Sequence, residues 1–376
     1  WRAQRLGIKC KIFISEYVSN VRSKAMEDLG ADVIKVKGNY EKSLIECIKQ
    51  STENNWQIVQ DVAWKDYELY LEPMLGGLRN PTGSITDNLI KAYQSGEMAH
   101  VESEARELLD RYPDSEMVLN ILGASLQSQG KVEGALEVYD RAIKSNPKFA
   151  EAHNNKGNAL KELGRGAEAL TSYEHAVELA PKFFAAFKNL GVALTEQDRF
   201  EDAIKAFDQA IELKSDFLEA YVGRAHAKKQ LQQFNEALID HQHIIQHKPR
   251  WIDAYLNYGD SLKNLGRLDE AVAIYEKAIA INPADGRAYN NWGVVLVIKQ
   301  EYRDALAKFN KSIECDPDNI IAYGRAAEML ERLGKREDAL TTYKQMFARK
   351  KQVPARLYNN CGNLLIKVGD YETAEL

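Results

Sequence analysis

The chain has 376 residues, of which 45% are hydrophobic and 28% charged, so its composition is globular rather than disordered, collagen-like or disulfide-rich. Lys and Arg total 50 against 55 Asp and Glu, and this net charge of −5 argues against a nucleic-acid partner. The longest strongly apolar run, residues 294–298, is too short to cross a membrane. The four cysteines show no CxxC spacing, which favours a reducing, cytoplasmic location.

Residues 1–78 alternate short apolar runs with helical patterns. We expect strands at 11–14, 32–36 and 56–59 and helices at 18–29 and 40–51. Strands that alternate with helices are typical of a parallel βαβ sheet. The sequence therefore predicts a small α/β segment at this end of the chain.

A run of unusual residues at 55–64, Asn-Trp-Gln-Ile-Val-Gln-Asp-Val-Ala-Trp, follows Gly38-Asn39-Tyr40 in this segment. With these motifs, residues 1–72 resemble part of the diaminopropionate ammonia-lyase family. The resemblance implies a fragment of a tryptophan-synthase-β-like fold that uses pyridoxal phosphate, with Asp61 at the aspartate that moves a proton. The family's Schiff-base lysine and phosphate loop have no counterpart here, so we expect Asp61 to be vestigial and the chain to bind no cofactor.

A linker is predicted at 79–83, where glycine, asparagine and proline are frequent. The expected organisation is a partial lyase-like segment at 1–78, this linker, and a repeat region at 84–376 that breaks off in its ninth unit. Because the chain begins at Trp1 rather than Met and ends inside a unit, we expect it to be a piece of a longer protein.

A 34-residue period runs through the second region. Prolines mark it at Pro113, Pro147, Pro181, Pro249, Pro283 and Pro317. Alanines keep it at Ala135, Ala169, Ala203, Ala237, Ala271, Ala305 and Ala339. Aromatic residues follow at Tyr139, Tyr173, Phe207, Tyr275, Phe309 and Tyr343, with His241 as the exception. A fixed period of this length indicates stacked structural repeats.

These motifs resemble the tetratricopeptide repeat (TPR) family, with units beginning near 82, 116, 150, 184, 218, 252, 286, 320 and 355. The resemblance implies a mainly α fold, a right-handed α-solenoid of about eight to nine helical hairpins. Each unit supplies a helix A and a helix B that form a hairpin. One hairpin cannot bury its own apolar face, so the units must stack on one another. The apolar spacing of residues 252–285 fits this arrangement.

The sixth position of the units carries a series of asparagines: Asn155, Asn189, Asn257, Asn291 and Asn360. In a solenoid of this kind that position faces the concave groove, where an amide can pair with both the C=O and the N–H of a peptide backbone. Ile121, Gly223 and Arg325 interrupt the series. Tolerated, solvated asparagines are the alternative interpretation.

The same groove is expected to carry the cations Lys188, Lys263 and Arg325 as partner-binding residues, together with several acids. The pattern lacks the asparagine that a carboxylate clamp for chaperone C-termini would need, because Val192 occupies that place. A metal ligand set is a weak candidate at Asp240, His243 and His247, which share one helix face. A structural zinc site wants a fourth ligand, so an ordinary polar face is favoured and no metal is predicted.

The sequence thus predicts a protein-interaction scaffold, not an enzyme, that binds an extended peptide or a partner helix in its groove. One alternative is the substrate-recognition region of a larger glycosyltransferase or sulfotransferase. A second is an inactive remnant of a pyridoxal-phosphate-dependent ammonia-lyase. Self-association stays open.

Overall fold

A computed structural model describes residues 10–15, 31–36, 81, 83–349 and 353–369. Two strands, β1 (Cys10–Ser15) and β2 (Ala31–Val36), pair in parallel with Cys10 opposite Ala31. They lie where the sequence predicts the first two strands. The predicted third strand, both predicted helices of this segment and Asp61 fall outside the described residues.

The described part of the second region consists of α-helices joined by short turns. They are α1 (Gly83–Gln94), α2 (Met98–Arg111), α3 (Glu116–Ser128), α4 (Val132–Ser145), α5 (Ala150–Glu162), α6 (Gly166–Leu179), α7 (Phe184–Glu196), α8 (Phe200–Leu213), α9 (Leu218–Gln230), α10 (Phe234–His247), α11 (Ile252–Asn264), α12 (Leu268–Ile281), α13 (Gly286–Ile298), α14 (Tyr302–Cys315), α15 (Ile320–Arg332), α16 (Arg336–Arg349) and α17 (Ala355–Val368). Odd-numbered helices are the A helices and even-numbered ones the B helices. Their starts follow the predicted units, so the repeated helical hairpin is confirmed.

The turn between helix A and helix B is set by one residue with left-handed backbone. Gly130, Gly164, Gly266 and Gly334 occupy it with φ between 73° and 79°. Glycine has no Cβ, so it adopts this conformation without steric cost. Each hairpin therefore closes over a turn that recurs with the repeat.

Alanine and aromatic side chains fill the space between the two helices of a hairpin. Each alanine of the 34-residue series is fully buried, and the six aromatic residues are at most 1% exposed. A Cβ on Gly191 would lie 2.7 Å from the Phe207 ring, so only glycine lets α7 approach α8 this closely. The core is thus a repeated contact between a glycine, an alanine and an aromatic ring.

Contacts divide the chain into two compact units, residues 1–152 and 153–376. Within the second unit, each B helix from α6 to α14 packs against the A helix that follows it. The domain boundary predicted at 79–83 is a different division of the chain and stays a prediction.

Candidate functional site

A cleft of about 380 Å³ opens on the face formed by the A helices α7, α9 and α11. Its apolar wall comes from Val192, Val222, Phe207, Ile244 and Trp251. These residues belong to three successive hairpins, because helices that stack with the repeat present the same positions side by side. The cleft is in the volume range of ligand pockets.

The polar lining of the cleft comes from α7, α9 and α11 and from the B helix α10. It consists of Thr195, Glu196, His226, Lys229, His241, Asp253 and Asn257. Of the predicted partner-binding residues, Asn257 alone is in this lining. The other predicted asparagines and the cations Lys188, Lys263 and Arg325 lie outside it.

Gly223 and His241 give the cleft its shape. A Cβ on Gly223 would overlap the Phe207 ring, so the absent side chain lets α9 rest directly on that ring. His241 occupies the position of the core aromatics, is 4% exposed, and its Nε2 is buried with no hydrogen-bond partner. Burial, reinforced by the charge of Lys229, lowers the pKa of His241 to about 4, so the imidazole is neutral at pH 7. The sequence showed both residues as departures from the repeat without assigning them to a site.

Two lysines beside the cleft share one carboxylate. Asp260 accepts hydrogen bonds from Lys229, at 2.9 Å, and from Lys263. Burial raises the pKa of Asp260, but the hydrogen bonds from the two lysines outweigh it and hold the pKa below its ordinary value. The predicted groove cation Lys263 is therefore paired within the protein, through a carboxylate that it shares with Lys229.

The asparagines of α5 and α7 bind one another rather than standing free. Asn189 Nδ2 donates to Asn154 Oδ1 at 2.8 Å and to Asn158 Oδ1 at 3.2 Å, while Asn189 Oδ1 accepts from Lys188. Asn154 Nδ2 in turn donates to Asn155 Oδ1 at 3.2 Å. Burial and then the charge of Lys161 lower the pKa of Lys188. The donor of the Asn189 amide is therefore engaged by the preceding repeat, and its acceptor by the adjacent Lys188.

A second relay of the same form links α13 and α15. Arg325 Nη1 donates to Asn290 Oδ1 at 2.6 Å, and Asn290 Nδ2 donates to Asn291 Oδ1 at 3.2 Å. Arg325 stands at the sixth position of its unit and, like Asn189, donates a hydrogen bond to an asparagine of the preceding repeat. Asn360 lies beside Tyr343, whose hydroxyl it meets as a hydrogen-bond partner.

The weak metal candidates have other partners. Asp240 is fully buried and binds Arg224 and Lys228, with Lys228 Nζ 2.9 Å from Oδ2. His243 stacks on Tyr221, with ring centroids 4.0 Å apart, and lies 4.3 Å from the His247 ring. No group of three His, Cys, Asp or Glu residues in the described ranges is placed to hold a metal ion.

Family comparisons agree with the helical pattern. Models described as TPR repeat and tetratricopeptide repeat match residues 123–164, 154–216 and 252–285. The chain therefore contains tetratricopeptide repeats. Such repeats are protein-interaction scaffolds, and the cleft lies within this repeat region.

Solved TPR structures share the fold at low sequence identity. The C-terminal part of a TPR repeat-containing protein from Cytophaga hutchinsonii is 15% identical with a TM-score of 0.53, over 64% of this chain and 98% of that one. The Cut9-Hcn1 hetero-tetramer of APC/C is 15% identical with a TM-score of 0.50, over 70% of this chain and 52% of that one. YrrB, described as a TPR protein with an unusual peptide-binding site, is 24% identical with a TM-score of 0.44. That match covers 50% of this chain and 96% of YrrB.

A separate likeness concerns a short stretch of the TPR protein. It is 31% identical over 67 residues to diaminopropionate ammonia-lyase of Escherichia coli strain K12, which is 18% of this chain. The chain spans 17% of that relative's length. Across the described residues, no helix has both the length and the apolar character needed to cross a membrane.

Proposed function

We propose that the A-helix face of α7, α9 and α11 is a groove that binds an extended peptide of a partner protein. The observation that carries this proposal is the cleft, which opens among side chains of three successive hairpins. A groove that crosses several repeats suits a linear ligand, because each repeat offers the same positions to successive residues of the chain it holds.

Asn257 is the side chain we assign to the peptide backbone. Its Oδ1 accepts only a long hydrogen bond, 3.4 Å from Lys229 Nζ, and its Nδ2 donates to no described residue. Asn189, by contrast, has both amide groups occupied. Asn257 therefore retains a donor for a peptide carbonyl and an acceptor for a peptide N–H.

The test begins with a phage-displayed library of unstructured 16-residue peptides, selected on the purified full chain. Asn257→Ala is expected to weaken binding of a selected peptide about 2- to 10-fold, since one or two hydrogen bonds of about 0.5–1.5 kcal/mol each are lost. Binding is measured by isothermal titration or fluorescence anisotropy.

Asn310→Ala is the matched control, because Asn310 is an exposed asparagine on the B helix α14. It should leave the affinity unchanged. Asn189→Ala tests the relay instead: it should lower thermal stability because its amide links α7 to Asn154 and Asn158. A library that yields no ligand, or ligands indifferent to Asn257, would contradict the proposal.

A further inference from the structure

Two lysines on one side of the cleft share a single carboxylate. Lys229 Nζ lies 2.9 Å from Asp260 Oδ2, and Lys263 binds the other oxygen of the same group. These three side chains are only 18% to 30% exposed, and neither lysine has a second carboxylate partner among the described residues. Glu196, which also lines the cleft, pairs one to one with Lys161 at 2.9 Å. One positive charge is therefore left without a counter-charge on this side of the cleft.

The opposite side of the cleft has the reverse imbalance. On α11, Asp253 lies about one turn before Asn257, and Asp260 lies about one turn after it. Asp253 and Asp285 share Arg287, at 2.6 and 2.7 Å, so two carboxylates meet one guanidinium here. The cleft therefore has a negative side at Asp253, and Asn257 separates it from the positive side.

The unmatched positive charge is presented to the cleft by Lys229, which belongs to its lining, whereas Lys263 does not. An ammonium group has three donors. Lys229 uses one on Asp260 at 2.9 Å and a second, at a long 3.4 Å, on Asn257. The charge of Lys229 is also the largest cause after burial that lowers the pKa of His226, another residue of the lining. Lys229 therefore retains a donor and a positive field for an anionic group in the cleft.

Given the proposed peptide groove, on which this inference rests, we propose that the bound peptide carries an aspartate or glutamate whose carboxylate binds Lys229. Asn257 holds the peptide backbone, and its Oδ1 lies 3.4 Å from Lys229 Nζ, so the side chain of the residue held there reaches the lysine. Successive side chains of an extended peptide point to opposite sides, so the next side chain faces Asp253. The groove thus selects an acid at one position and repels an acid at the neighbouring position.

The experiment uses the selected peptides, synthesised with an amidated C-terminus so that only side chains carry carboxylates. They should share an acidic residue. Its replacement by asparagine or glutamine should weaken binding about 5- to 50-fold, because a charge-assisted hydrogen bond in a partly buried cleft is lost. An acid added at the neighbouring position should weaken binding about 2- to 5-fold, and Asp253→Asn should remove that loss. Isothermal titration measures each affinity.

Lys229→Met removes the proposed contact, while Asp260 keeps Lys263 as its partner. The acidic peptide should bind this variant as weakly as its amide counterpart binds the wild-type chain, and the amide peptide should lose no further affinity. Lys277→Met is the matched control, because it removes the same charge from an exposed position on the B helix α12, and it should leave both affinities unchanged. Thermal unfolding checks that each variant is folded, and the peptide substitutions test the contact on the wild-type chain independently.

Failure of this contact is distinguishable from failure of the groove. Peptides that depend on Asn257 but share no acid would overturn the acidic contact and leave the proposed groove intact. Acidic peptides that bind Lys229→Met as tightly as the wild-type chain would place the carboxylate elsewhere and also overturn it. If no peptide binds, or none depends on Asn257, the proposed function itself fails.

Discussion

At the scale of single residues, this protein buries two adjacent titratable side chains on one B helix, α10. His241 takes an aromatic position and Asp240 lies next to it, fully buried, with Arg224 and Lys228 as its partners. Burying such groups costs free energy unless each finds a partner. Asp240 has its partners, whereas His241 keeps an unpaired Nε2. The two residues therefore predict different responses to mutation and to pH.

Removing Asp240 should destabilise the fold strongly. In Asp240→Ala the cations Arg224 and Lys228, both mostly buried, would be left beside each other without their shared carboxylate. Breaking a buried pair in this way typically costs about 3–5 kcal/mol in the free energy of unfolding. Asp202→Ala, which breaks exposed pairs with Arg199 and Lys205, should cost far less, because exposed ion pairs add little to stability. Urea titrations measure both, and equal losses would contradict the prediction.

Protonation of His241 should weaken the fold in acid. The pKa of His241 is lowered from its ordinary value of 6.5 to about 4 in the folded chain, chiefly by burial. The positive charges of Lys229 and Lys228 also lower it, whereas the negative charges of Asp240 and Asp260 raise it. Between pH 6.5 and 4 the unfolded chain therefore binds more protons, and stability falls as pH falls through this window. Above it the residue is neutral in both states and contributes no pH dependence.

His241→Phe should remove this slope, which reaches about 1.4 kcal/mol per pH unit at most. The measurement is the free energy of unfolding at pH 7.5, 5.5 and 4.5 for wild type and variant, where the difference cancels the titration of the carboxylates. His100→Gln, at an exposed histidine, is the control and should keep the wild-type slope. Parallel curves for wild type and His241→Phe would show that burial of His241 does not shift its titration.

At the scale of elements, the A–B hairpin is specified by its turn as much as by its packing. Three hairpins close without glycine: Asp198, Gln232 and Gln300 adopt φ of 57°, 58° and 62° at the turn position. Left-handed backbone is unfavourable for residues with a Cβ. The packing of the alanine and aromatic positions imposes the turn in these hairpins, at a local cost that the glycine turns avoid.

Gln232→Gly should accordingly stabilise the chain by about 0.5–1 kcal/mol, since relief of the left-handed strain exceeds the added backbone entropy of glycine. Gln300→Gly should add a similar amount independently, because the two turns belong to different hairpins. The reverse change, Gly266→Gln, should destabilise by about 1 kcal/mol. Urea midpoints of the single and double variants test the series, and a loss of stability in Gln232→Gly would refute it.

At the scale of the whole molecule, two kinds of sequence share one chain. The repeats form the helical hairpins, and β1 and β2 form a parallel pair of strands near the other end. The compact units, residues 1–152 and 153–376, do not coincide with the change of sequence pattern near residue 80. The proposed groove lies entirely in the second unit, so peptide binding there depends on contacts between repeats of that unit alone.

The sequence determined the repeat, its phase and its core. The 34-residue spacing of proline, alanine and aromatic residues located both helices of every described hairpin, because each unit packs through the same local contacts. The strands 11–14 and 32–36 followed from their apolar runs in the same way. Local pattern sufficed for these features because neighbours along the chain are also neighbours in space.

The tertiary structure decided which polar residues are available for binding. The asparagine at 189 and the cation Lys263 match the groove pattern, yet hydrogen bonds to Asn154 and Asp260 engage them inside the protein. Gly223 and His241, which the pattern marks only as exceptions, line the cleft instead. Both the hydrogen bonds and the cleft depend on contacts between side chains of adjacent hairpins. The spacing of residues within a single repeat does not predict those contacts.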